Sequence, residues 1–435
     1  MSIEKLALLG GTPLRSTPPP PYNTIGDAEK NEVMNVLESG DLSGFIAYAG
    51  DEFYGGQQVK GLEEQFKEYF NVKHAIAVNS ATSGLHSSLA ATGIGPGDEV
   101  IVPPYTMSAT ATCVLFTGAV PIFVDIENET YCLDPEQVKK NITPYTKGIV
   151  AVNLFGHPAD LDALRTIADE HNLFLLEDNS QAPAAKYKER FTGTIGDFGV
   201  FSFNRHKTMQ SGEGGVVICN DDHLAQKVRL MRNHGEVVVG AMGFEDIQNT
   251  AGLNYRMTEM EAAVARHQFA KIDDLNASRI ALCDRITKNL RDIDGISAPI
   301  TKEGCKHVYY FYCMNYDENV VGIPRQLFVE AVCSEGFPLR GGYVKPVYME
   351  PLYQQKLCFG ADGFPFTANK RNDEISYEKG LCPVVEDFFE NKLLLTAFIY
   401  PPLTNDDMDA FTDAIQKVIA NKDALLKYAQ KRQAA

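Results

Sequence analysis

The chain contains no tryptophan, no CxxC pair and no apolar run near the roughly 18 residues needed to cross a bilayer. Each gap excludes a class. The nine cysteines stand singly at 113, 132, 219, 283, 305, 313, 333, 358 and 382, mostly inside apolar runs. Reduced core thiols are therefore expected, with neither a disulfide framework nor a metal site. Basic residues are short too: 40 Lys and Arg face 57 Asp and Glu, a net charge of −17. Nucleic acid and anionic membrane both select a basic face, so neither is an expected partner. The opening MSIEKLALLGGTP has too short an apolar stretch for a secretory signal, which makes a cytoplasmic location the expectation. There is no internal repeat and no low-complexity segment. What remains is the composition of an ordinary globular protein, 44% hydrophobic and 22% charged, in 435 residues that suit two unequal domains.

Residues 1–25 include STPPPPYN, a proline-rich arm too short to be a domain. From about 60 to 220 the runs HAIAVNS, EVIVPPY, VPIFVDI, GIVAVNLFG, LFLLEDN, FGVFSF and GGVVICN read as strands, with amphipathic segments such as DLDALRTIADEHN between several of them. Continuous apolar strands alternating with helices predict an α/β fold whose mostly parallel sheet is covered on both faces. Thr258 and Glu261 form a capping-box pattern, and no Gly or Pro follows for some thirty residues. One long or bent helix is predicted to about Leu290, linking a large domain (26–275) to a smaller α+β domain (276–435).

Three stretches carry chemistry. In FSFNRHKTMQSGEGGVVICND, residues 201–221, Lys207 sits on a turn between two buried-looking strands with Gly-Glu-Gly-Gly close behind. A solvated lysine needs no such setting; one that bonds covalently to a ligand seated against the backbone does. In LFLLEDNSQAPAA, Asp178 ends a strand where open α/β sheets keep their ligand crevice, either facing a cation there or serving as a loop acid or helix cap. In AVNSATSGLHSSLA, small hydroxylated residues open a helix, so Thr82 is either an ordinary N-cap or part of an anion-binding turn. Dinucleotide and triphosphate loops fit poorly, because GIGPGDE lacks the preceding strand and GEGGVV lacks Lys-Ser/Thr. A phosphate at a helix start, a cationic ring atom against an acid and an aldehyde on a lysine together describe pyridoxal 5′-phosphate.

On these residues the sequence resembles the DegT/DnrJ/EryC1/StrS family of sugar aminotransferases. The resemblance rests on VNSATSGLH, DEVIVPPYTMSATA, VNLFGHPADLDAL, LLEDNSQA, GDFGVFSF, the SF…K…GEGG block and GLNYRMTEMEAA, in order. It implies the fold-type-I transferase architecture, with a seven-stranded large-domain sheet. It implies Lys207 as the Schiff-base lysine, Asp178 at the pyridine nitrogen and Gln181 beside the ring hydroxyl. Ser202, Thr82 and Ser83 would hold the phosphate, and Met107 would stand where relatives stack an aromatic ring. Asn254 would reach the cofactor of a second subunit, making a homodimer with shared sites. The implied reaction moves an amino group from glutamate or glutamine to a keto-sugar, in most of the family nucleotide-linked, or to a related cyclic ketone.

The chain departs from the family at Ala81, where glycine is usual, at Met107, and in Asn-Arg-His before the lysine. A dehydratase branch carries histidine at the lysine's place, but here SF and GEGG bring Lys207 into register. Arg205, Arg256, Arg340 and Lys345 are candidates to meet a substrate phosphate or ordinary surface cations. Tyr309, Tyr310 and Tyr343 read as packing residues. The rival classes are a dehydratase, a non-catalytic cofactor-binding regulator of the same fold, and a nicotinamide-linked oxidoreductase, whose glycine fingerprint is missing.

Overall fold

The seven expected strands form one sheet in the computed structural model, which describes residues 4–433. The first three residues of the expected arm and the last two of the C-terminal domain lie outside it. The strands are β1 (His74–Val78), β2 (Glu99–Val102), β3 (Val120–Phe123), β4 (Thr146–Val152), β5 (Phe174–Asp178), β6 (Phe198–Ser202) and β7 (Gly215–Cys219). Their order is β1-β7-β6-β5-β4-β2-β3. Only β7 runs against the others, pairing antiparallel with both β1 and β6. β2 to β6 pair in parallel, with Asp178 opposite Val152 on β4 and Val200 on β6. Their side chains are almost entirely buried, as strands between two helical layers require.

Helices α1 (Asp27–Ser39) and α2 (Gln57–Phe70) precede β1, and α3 (Ala81–Ala91) follows it. Then come α4 (Ala109–Phe116), α5 (Pro135–Asn141), α6 (Leu161–His171) and α7 (Asp222–Arg232). The sequence sets their ends: Asp160 and Asp221 accept from the backbones of Ala163 and Leu224, and Asn172 closes α6 in the left-handed region. The long helix is the bent alternative. It divides into α8 (Glu259–Phe269) and α9 (Ile272–Leu290), and the Thr258/Glu261 capping box starts it.

A second, antiparallel sheet comprises β8 (Ile296–Ser297), β9 (Tyr312–Tyr316), β10 (Arg340–Gly341) and β11 (Leu393–Thr396), in the order β8-β9-β11-β10. Its core includes Leu282, Tyr312, Phe328, Phe337 and Phe411. The chain between β10 and β11 does not stay with that sheet. Val347, Tyr348, Tyr353, Phe366, Tyr377 and Val385 join the core of the large sheet. This strap crosses its β3 edge, where the Tyr377 hydroxyl donates to Pro121 O at 2.9 Å and the amides of Val384 and Val385 donate to Asp125.

Candidate active site

The carboxyl ends of β4, β5 and β6 and the start of β7 converge on one crevice. Asp178, 5% exposed, accepts from Thr110 Oγ1 at 2.9 Å and from Ser180 N at 3.2 Å. No Lys, Arg or His forms an ion pair with it among the described residues. Glu177, one residue back, points the other way. It is fully buried and accepts from the backbones of Gly193, Ile195 and Gly196 and from Asn153 Nδ2, which offsets part of the upward push of burial on its pKa. Alternation along the strand thus gives adjacent carboxylates different work: one ties down a loop, the other faces the crevice.

Lys207 stands on the turn between β6 and β7, 8% exposed, its N–H bonded to Asn204 O at 2.8 Å. Its Nζ lies 4.7 Å from the centre of the Tyr310 ring. Burial pulls the ammonium down to about 8, against the upward pull of the Asp178 carboxylate. The glycines behind it have a geometric reason. Gly214 has φ +135°, and a Cβ on Gly215 would sit 2.8 Å from Ala81 N and 2.6 Å from Phe201 O. Gly215 also pairs with Ser202, so its bare Cα is what lets the end of β6 meet the start of α3.

That helix start is capped by Ser80 rather than Thr82. Ser80 Oγ accepts from Ser83 N at 3.1 Å, while Ser83 Oγ donates to Asn79 Oδ1 at 2.5 Å. Thr82 is exposed at the second helical position, and no side chain caps its amide or that of Ala81. With Ser202 alongside, this suits a phosphate. Gln181 is buried, its Oε1 accepting from Phe155 N at 2.9 Å and its Nε2 3.4 Å from the Tyr343 hydroxyl. Met107, 59% exposed, begins the turn into α4, beside the Thr106–Thr110 hydroxyl pair that leads to Asp178. Asn254 is exposed, its side chain accepting from Arg256 Nε and its carbonyl from Asn79 Nδ2.

Two tyrosines read from sequence as packing residues belong here. Tyr310 covers Lys207, and Tyr343 reaches Gln181; Phe311 and Phe155 bridge them as an aromatic wall. Tyr309 does pack, in the core of the second sheet. Of the four cations, Arg205 and Arg340 are exposed, Arg256 is engaged by Asn254, and Lys345 approaches Glu350 at 3.6 Å. No group of three or more His, Cys, Asp or Glu is arranged to hold a metal among the described residues. No helix among them is long and apolar enough to cross a membrane.

A family model described as the DegT/DnrJ/EryC1/StrS aminotransferase family matches residues 29–414. The chain belongs to this family. An L-glutamine:2-deoxy-scyllo-inosose aminotransferase of Streptoalloteichus tenebrarius is 32% identical over 432 residues, covering 97% of this chain and 99% of the relative. A dTDP-3-amino-3,4,6-trideoxy-alpha-D-glucose transaminase of Streptomyces venezuelae is 36% identical over 299 residues, 68% of this chain and 76% of its own. Among solved structures, S. venezuelae DesV in complex with a ketimine intermediate superposes with a TM-score of 0.77 at 30% identity, covering 93% of this chain and 99% of that one. This DegT/DnrJ/EryC1/StrS protein is therefore a pyridoxal-phosphate-dependent aminotransferase on the fold-type-I scaffold. The residues present suit that cofactor. A buried carboxylate lacks a cationic partner, a buried amine is held near 8, and a helix start whose first two amides have no side-chain partner lies beside them.

Proposed function

We propose that this aminotransferase moves the amino group of glutamate or glutamine onto a keto-sugar or a related cyclic ketone, with Lys207 as the covalent and proton-carrying residue. The observation that carries this reading is the Lys207 amine, buried beside the Tyr310 ring, its ammonium lowered from the ordinary lysine value to about 8, and facing Asp178. The cofactor, when bound, supplies an aldehyde carbon for the amine and an electron-withdrawing ring. Asp178, fixed by Thr110 and Ser180, would hold a proton on the ring nitrogen. Gln181, pinned by the Phe155 amide, would orient the ring hydroxyl, and Thr82, Ser83 and Ser202 would hold the phosphate. With the cofactor bound, the freed Lys207 amine would act as base and then acid, moving a proton between the donor's carbon and the carbon that had been the cofactor's aldehyde. Met107 would flank the bound ring, and the aromatic wall of Tyr310, Phe311, Phe155 and Tyr343 would keep water away. Asn254, on an exposed loop, contributes to the site of a second subunit in a homodimer.

The inosose relative, with glutamine in its name, aligns along nearly the whole chain, whereas the dTDP-sugar relative aligns along two thirds of it. That supports glutamine as donor and a cyclic ketone as a substrate to try beside nucleotide-linked keto-sugars. The test is a half-reaction. Glutamate or glutamine added to the loaded protein should shift the cofactor band to that of the amine form, and borohydride reduction before donor should leave a pyridoxyl adduct at Lys207. An adduct on another lysine, or a protein that stays colourless with the coenzyme, would overturn the reading.

A further inference from the structure

We propose that Tyr22, on the proline-rich N-terminal arm, is a positioning residue for Lys207. The arm is anchored at both ends. Leu6 is fully buried in the core of the second sheet, and the amides of Ala7 and Leu14 bond the buried Glu335 carboxylate at 2.8 and 3.1 Å. At the other end, Thr24 O accepts from Gln268 Nε2 at 2.9 Å and Lys271 Nζ at 3.0 Å, at the bend between α8 and α9. Between these anchors the prolines carry the chain past the lysine turn.

There Tyr22 donates its hydroxyl to the carbonyl of Thr208, the residue after Lys207, at 2.5 Å. Arg279 on α9 donates to Thr208 Oγ1 at 2.7 Å, with its guanidinium 5.4 Å from the centre of the Tyr22 ring. Tyr400, from the chain after β11, lies 4.8 Å from Tyr22 and donates its own hydroxyl to Pro20 O at 3.1 Å. Tyr22 thus holds the backbone and Arg279 the side chain of the residue after the reactive lysine, with Tyr400 backing Tyr22. Arg205 and His206, on the other side of it, are exposed. Met209 roots the far side of the turn in an apolar core, while the polar residues around Lys207 take their placement from the groups that grip Thr208. A misplacement near 1 Å at a reacting group costs about 100-fold in rate. Stiff prolines reduce the entropy lost in holding Tyr22 in place.

This inference rests on Lys207 being the lysine that captures the cofactor, and the experiment separates the two. Apoprotein is mixed with pyridoxal phosphate over a range of pH, capture is followed by absorbance, and the product is reduced with borohydride and mapped. Tyr22→Phe removes the donor while keeping the ring against Tyr400 and Arg279; Thr208→Val cuts the grip from the Arg279 side and serves if the first variant folds poorly. Capture at Lys207 is expected to slow about fivefold, the effect of one hydrogen bond. Its pH midpoint should rise from near 8 toward the ordinary lysine value as the amine gains water. A purely structural role would lower the melting temperature but leave rate and midpoint unchanged per folded molecule, and that result overturns the proposal while the lysine assignment stands. An adduct elsewhere in wild type and variants alike would overturn the lysine assignment instead.

Discussion

At Lys207 one side chain must be held firmly and still be deprotonated easily, and burial beside an aromatic ring meets both needs. Its ammonium is lowered from 10.5 to about 8. The unfolded chain therefore binds more protons than the folded apoprotein between those values. Apoprotein stability should fall as pH drops from 10.5 to 8 and level off below, and cofactor capture should rise through pH 8 and then plateau. Chemical melts and capture rates on one pH series check both. Asp178→Asn should cut turnover by about two to three orders of magnitude, as removing a preorganised partner at a developing charge does. Thr110→Val, losing one neutral bond to the same carboxylate, should cost about tenfold or less; steady-state kcat for the pair separates the effects. That Lys207 and Asp178 lie together at the strand ends was legible because each ends or joins a strong strand pattern. Tyr310 was not. It lies more than a hundred residues from the lysine in sequence, and a tyrosine in an aromatic run looks the same facing a core or a crevice. Of the two readings left open for Thr82, the cap falls away: Ser80, Thr82 and Ser83 are all capping residue types, and the backbone of Ser80, extended at φ −166°, decides among them.

At the scale of elements, all seven strands were readable, since buried parallel strands are continuous apolar runs whatever surrounds them. The GEGG block was readable as a close approach, though not as an approach to α3. Gly215→Ala should destabilise by about 1–3 kcal/mol, as inserting a methyl group into packed backbone does. It should also weaken cofactor affinity, because it pushes Ser202 and the Ala81 amide apart; a melt and a phosphate-dependent binding titration read the two separately. The bend at residues 270–271 left no sign because no Gly or Pro marks it. It coincides with the place where Gln268 and Lys271 turn to the arm at Thr24 and to Glu29. Such contacts between distant segments override local helix preference.

In the whole molecule, the strap between β10 and β11 was the feature least visible in advance. Its residues lack a helical or strand period, and it takes its shape from the surface it crosses. One bond there carries weight: Arg371 reaches the fully buried Glu99 at 3.0 and 3.1 Å, where Thr143 and Asn369 also donate. Arg371→Met should cost about 3 kcal/mol, the lower end for stranding a buried charge, since the two neutral donors remain. Equilibrium denaturation measures it.

The strap has a further consequence. β3 is the last strand of its sheet, and a bare outer strand invites a neighbouring molecule to add to it. Here Pro121 brings no N–H, and its carbonyl is already taken by Tyr377. The polypeptide thus stoppers this side of its own sheet, and a neighbouring copy that meets it there finds no free ladder to extend.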